Sequence, residues 1–170
     1  ELMNILKRRK LKHFAYAVVA NYPIDTTYNG KSIEQINLLK GRKHKAKAEA
    51  ETIMDIVSSG GASAVFHGMS EGDVKRIMQY PFNMFASDAS IRVLGAGMPH
   101  PRGYGTNARV LAKYVRDEKV ISLEEAIRRM TSLPAQKFQL KDRGLLREGF
   151  AADIVIFDEK EVQDISTYDK

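Results

Sequence analysis

Only two runs in this chain have the make-up of a strand buried on both faces, and two are too few to build a sheet. Residues 14–20 hold Phe14, Tyr16, Val18 and Val19 among alanines, and Asn21, Tyr22 and Pro23 halt them. Residues 83–86 resume an apolar extended run after Pro81 and lead into Ser87 and Asp88. Strand followed by helix, repeated, predicts a parallel α/β arrangement. A pair of such strands cannot cover both faces of a sheet, so the pattern asks for neighbouring strands that the chain does not supply.

The helices announce themselves by their caps and periodicity. Ser32 with Gln35 forms a capping-box pattern that opens a short helix. Over residues 45–57, Ala46, Ala50, Ile53 and Val57 share one helical face, and Gly60 and Gly61 end it. Residues 64–66 read as short and extended. Ser70 is placed to cap a helix carrying Glu71, Asp73, Val74 and Ile77, which Pro81 stops. A polar, glycine-rich loop spans 89–105, and an amphipathic helix over about 107–119 gathers Val110, Leu111, Tyr114 and Val115. Ser122 and Glu125 make a second capping box for a helix through Met130, limited or restarted by Pro134. Beyond it, Gly144 and Gly149 mark turns feeding an apolar strand over 152–158, which predicts a separate small sheet.

With 170 residues and 44% apolar content, one core is the expectation, and the absence of cysteine excludes disulfide and thiolate chemistry within the chain. No run approaches the roughly 20 apolar residues of a membrane span, so the chain reads as soluble and no membrane partner is expected. It begins at Glu1 without a signal pattern; residues upstream are expected, and localisation stays open between cytoplasm and periplasm. The net charge of +6 concentrates in Lys7–Lys10 with Lys12 and in Arg42–Lys45 with Lys47. Such patches attract nucleic acid or other anions, and a basic binding module is one reading. They carry few interleaved aromatics and match no recognition module, which favours a solvated helical surface and no nucleic-acid partner.

Asp88 stands where α/β barrels place catalytic groups, at the C-terminal end of a buried strand before a long loop. Position alone leaves a second reading open, a turn cap with Ser90 nearby. His67, on an intervening segment without a second ligand at useful spacing, reads as capping or packing, and His13 and His44, in basic stretches, read as surface residues. His100, between Pro99 and Pro101, is sterically held and reads as orienting its loop.

Ser87-Asp88, then residues 100–106 from His100 through Arg102 to Thr106, then Leu111, Tyr114 and Val115, then residues 125–135, are similar in order and content to the corresponding run of the D-aminoacylase (N-acyl-D-amino-acid deacylase) family. Residues 144–158 resemble the return of amidohydrolases to their small β-sandwich, a feature shared with dihydroorotase-like enzymes; an enzyme of cyclic amides is therefore the alternative. The resemblance covers about residues 14–170. It implies the C-terminal part of a (β/α)8 TIM barrel over residues 1–140, with an inserted helical segment over about 25–70, and terminal strands of a β-sandwich over 141–170. It also implies that Asp88 is catalytic and lies near the metal, or is its second-site ligand, exchanging protons with zinc-bound water. Arg102 would hold the substrate carboxylate, and His100 and Tyr22 would stand near substrate. The implied substrate is an N-acyl-D-amino acid. The histidine-any-histidine motif and the remaining zinc ligands of the family are absent from these 170 residues. The resemblance therefore implies zinc in the full-length enzyme, none in this piece, and a missing N-terminal part of the barrel as its partner, with the isolated chain inactive. Ala89 departs from the glycine common in the family.

Overall fold

The computed structural model describes residues 1–91 and 100–168, so the middle of the 89–105 loop lies outside the described residues. Two compact units emerge, one built on Glu1–Gly68 with His100 and Tyr168, the other on Met69–Ile91 and Pro101–Thr167. Among the described residues no helix is long and apolar enough to cross a membrane.

In the first unit, α1 (Leu2–Arg9) contributes Leu6 to a core shared with Phe14, Val19, Tyr22, Ile33, Ile36 and Ile56. Strand β1 (Ala17–Asn21) is followed by a single 3-10 turn, Thr26–Tyr28, and by α2 (Ile33–Leu39). The capping box at α2 forms as expected: Gln35 N–H donates to Ser32 Oγ at 3.2 Å and Ser32 N–H to Gln35 Oε1 at 2.8 Å. Helix α3 (Ala46–Ser58) then runs to Gly60 and Gly61, which adopt positive φ and turn the chain into β2 (Ser63–Phe66). Strand β2 pairs antiparallel with β1, Val18 opposite Val65.

The buried stripe of α3 differs from the expected face. Glu49, Thr52 and Ile56 are buried while Val57 is exposed, with Ala46, Ala50 and Ile53 at the margin. Polar partners rotate the helix onto that stripe. Thr52 Oγ1 donates to Asn37 Oδ1 and accepts from Arg42 Nη1, each at 3.0 Å, and Asn37 Nδ2 donates to the Lys43 carbonyl at 2.9 Å. Polar groups so satisfied are buried at little cost.

The second unit packs α4 (Glu71–Met78), α5 (Arg102–Arg109), a π-helical stretch (Val110–Asp117), α6 (Leu123–Met130) and α7 (Ser132–Lys137). Val110, Leu111, Tyr114 and Val115 are buried together with Met78 and Ala126, as their spacing predicts. The helix bearing them begins at Arg102, earlier than expected, and widens at Val110, where Glu118 N–H reaches the Lys113 carbonyl at 2.8 Å, an i to i+5 bond. Ser70 caps α4 and Ser122 caps α6, but Glu125 turns its carboxylate to Arg128 and Arg129. Arg129, 2% exposed, donates from Nε to Glu125 Oε1 and from Nη1 to Asn83 Oδ1, each at 2.7 Å, and to the Met78 carbonyl.

The parallel sheet expected from the sequence is not formed; among the described residues the sheet is the antiparallel pair β1 and β2. Residues 83–86 and 152–158 form no ladder, and Ile154, Val155 and Ile156 stay exposed. A strand is completed by neighbours that pair with its N–H and C=O groups, and among the described residues no strand pairs with these runs. The architecture seen is mixed helix and strand.

Arg129→Ala would leave the Met78 carbonyl, Asn83 and Glu125 without their shared donor. It should lower the unfolding free energy by about 3–5 kcal/mol in a urea titration followed by circular dichroism. Arg128 first, then Arg129, lower the Glu125 carboxyl from 4.5 to about 2. A depressed folded-state value stabilises the fold above about pH 4.5, and the contribution fades as pH falls towards 2. Glu125→Gln should flatten the acid limb of the stability curve in that window; an unaltered limb would show that the pairs do not hold in solution.

Candidate functional site

After α4 the chain runs without regular secondary structure from residue 83, and two anchors hold it. Asn83 is held by Arg129, and Phe85 packs on the second unit's core. The run ends at Asp88, whose φ of 45° lies in the left-handed region that aspartate enters more readily than branched residues. Arg102, the first residue of α5, donates from Nη2 to Asp88 Oδ2 and to the Asp88 carbonyl, both at 2.8 Å. Close approach is helped by Gly103: a Cβ there would lie 3.3 Å from the Ala89 Cβ. Two of the four candidates, 14 residues apart, are thereby joined. Both are open to water, with 84% of the Asp88 side chain and 46% of Arg102 exposed.

The other two candidates belong to the first unit. His100 Nε2 lies 3.2 Å from the Tyr168 hydroxyl, and the rings of His100 and His67 each meet Tyr168 edge-on at 5.3 Å. Tyr22 is 5% exposed, stacked on Tyr28 at 5.7 Å, and its N–H donates to Asn29 Oδ1 at 2.8 Å. The turn over residues 23–29 folds Tyr28 back over it.

The residues about Asp88 do not by themselves fit a metal centre. Its carboxylate is engaged by a guanidinium, and among the described residues no histidine or second carboxylate gathers with it as a ligand set. Among the described residues, the one group of histidine and acidic side chains close enough to share an ion is His13, Glu34, His44 and Glu49, which does not include Asp88. His13 is part-exposed and His44 exposed, in keeping with the surface position expected of them, and the fold draws them together. No spacing rule reveals them, since His13 and Glu49 stand 36 positions apart and the four residues come from four segments.

Residues 11–170 match the model of a family described as the amidohydrolase family. Over 108 residues the chain is 43% identical to N-acyl-D-glutamate deacylase of Alcaligenes xylosoxydans xylosoxydans, covering 64% of the chain and 22% of that protein. It is 33% identical over 141 residues to D-aminoacylase of the same organism, covering 83% of the chain and 27% of the relative. The crystal structure of N-acyl-D-glutamate deacylase from Bordetella bronchiseptica, complexed with zinc and a phosphonate inhibitor, superposes with a TM-score of 0.74 at 32% identity, over 96% of this chain and 32% of that one. The chain therefore spans about a fifth to a third of the length of these relatives.

An ion pair this exposed contributes little to folding. Asp88→Asn and Arg102→Ala should each change the unfolding free energy by less than about 1 kcal/mol, measured by chemical denaturation. A larger loss would assign the pair to scaffolding instead of function.

Proposed function

The chain belongs to the amidohydrolase family, and we propose that it supplies the proton-exchanging carboxylate and the substrate-holding guanidinium of an N-acyl-D-amino-acid deacylase. The observation that carries this reading is the pairing of Asp88 with Arg102 at 2.8 Å, in a stretch whose relatives are N-acyl-D-glutamate deacylase and D-aminoacylase. Because the chain spans a minor share of those proteins, the activity proposed is that of a whole enzyme. In it, residues 1–140 correspond to part of a (β/α)8 barrel, about 25–70 to an insertion, and 141–170 to the return to a small β-sandwich. The runs at 83–86 and 152–158 support that placement, since both have strand composition and form no ladder among the described residues.

The proposed reaction adds water across the amide, giving a carboxylic acid and a free D-amino acid. Zinc in the whole enzyme would polarise the carbonyl and acidify water to a pKa of about 7, on ligands outside these 170 residues. What this chain provides is proton transfer and position. The Asp88 carboxylate accepts a proton as water attacks and returns it to the leaving nitrogen. Arg102 holds the substrate α-carboxylate, for which its planar fork of donors is suited. In the arrangement observed, a substrate carboxylate and Asp88 compete for one guanidinium. Substrate that takes over Arg102 releases Asp88 for proton exchange, coupling capture of the correct anion to readiness of the base.

In the whole enzyme, Asp88→Asn should lower kcat by about 100-fold or more while metal content is retained. Arg102→Ala should lower kcat/KM by about 10- to 100-fold with N-acyl-D-amino acids. Ordinary turnover by the Asp88 variant, or unchanged kcat/KM in the Arg102 variant, would remove that residue from the site.

A further inference from the structure

Four side chains of the first unit converge at a point that the proposed deacylase site does not use. His13 comes from the segment before β1, Glu34 from the first turn of α2, His44 from the approach to α3, and Glu49 from its first turn. His13 Nδ1 lies 2.6 Å from Glu49 Oε1 and 3.8 Å from Glu34 Oε1, while His44 Nε2 contacts Glu34 Oε1. The two imidazoles stack at 4.2 Å between centroids. One donor atom from each of the four lies within 4.8 Å of every other. We propose that these residues form a structural binding site for one divalent transition-metal ion of the zinc class.

Geometry is the first argument. With bonds of about 2.0–2.1 Å, donors around a tetrahedral ion stand roughly 3.4 Å apart. The observed separations of 2.6 and 3.8 Å fall on either side of that spacing, and all four donors lie within 4.8 Å of one another, so an ion would be seated by drawing the donors together and turning the two stacked imidazoles until both ring planes meet on it. Glu49 is already oriented: it is fully buried, and its Oε2 accepts the Phe14 N–H at 2.7 Å, leaving Oε1 directed to the cluster. Hydrogen bonds of this kind hold metal-binding carboxylates in place. Access comes from the rim, where His44 is half exposed.

Charge is the second argument. Among the described residues neither Glu34 nor Glu49 has a lysine or arginine partner, although the chain holds 27 such residues. A divalent cation would offset both carboxylates. Two nitrogen and two oxygen donors without sulfur suit zinc or its neighbours, whereas calcium prefers six to eight oxygens. Four protein ligands make a closed, structural set, which would tie α2, α3 and the entry to β1 together. The inference is independent of the proposed deacylase activity.

The test is calorimetric titration of the metal-stripped 170-residue chain with zinc chloride alone, together with the visible spectrum of the cobalt(II) form. One equivalent of zinc, a tetrahedral cobalt spectrum, and a rise in Tm with zinc are expected. His44→Ala, at the exposed rim, and Glu34→Gln, which keeps the size of a part-buried side chain, should each weaken zinc binding at least about tenfold. Asp88→Asn should leave the stoichiometry unchanged, which separates this site from the deacylase reading. No uptake by the unaltered chain, unchanged affinity in the His44 or Glu34 variant, or loss of uptake in the Asp88 variant would overturn the proposal.

Discussion

The second unit is organised around one buried guanidinium. Arg129 binds the last carbonyl of α4, the Asn83 side chain and the α6 carboxylate of Glu125, so the end of α4 and the run after it, 51 and 46 residues earlier in the chain, are tied to α6 at one cation. Burying a charge is tolerable only when its donors are engaged, and here the fixed fork of an arginine engages them in different directions. The consequence reaches the candidate site. With Asn83 pinned and Phe85 seated on the core, the five residues that follow have little freedom in where they deliver Asp88.

The contrast between that buried cation and the exposed one at Arg102 separates architecture from chemistry. Arg129 cannot change partners without opening the core. Arg102 meets Asp88 in water, where the pair is weak enough to be exchanged for a ligand. An aspartate at positive φ beside the first turn of a helix is an arrangement that folding alone does not require. In the proposed enzyme the same exchange selects for an anionic substrate.

Features depending on residues three or four apart were legible in the sequence: the caps at Ser32, Ser70 and Ser122, and the apolar face from Val110 to Val115. Features depending on distant partners were not. The rotation of α3 follows from Asn37 and Arg42 reaching Thr52, and from Phe14 and His13 reaching Glu49 across 35 and 36 residues. Nothing in local periodicity encodes those bonds. Residues 83–86 and 152–158 have the composition of strands, yet composition gives only the propensity; hydrogen-bonding neighbours make the strand. At the site, Asp88 and Arg102 were identified by family likeness, and the structure adds their mutual contact. Tyr22 and His100 were named on the same likeness, and they pack against Tyr28 and Tyr168.

Everything functional here turns on whether Arg102 gives up Asp88 to a substrate carboxylate. A crystal structure of the whole protein with a non-hydrolysable N-acyl-D-amino acid analogue tests this directly. The account predicts the guanidinium of Arg102 on the ligand's α-carboxylate and the freed Asp88 carboxylate within hydrogen-bonding reach of the amide nitrogen. A ligand bound elsewhere, with the Asp88–Arg102 pair intact, would contradict it.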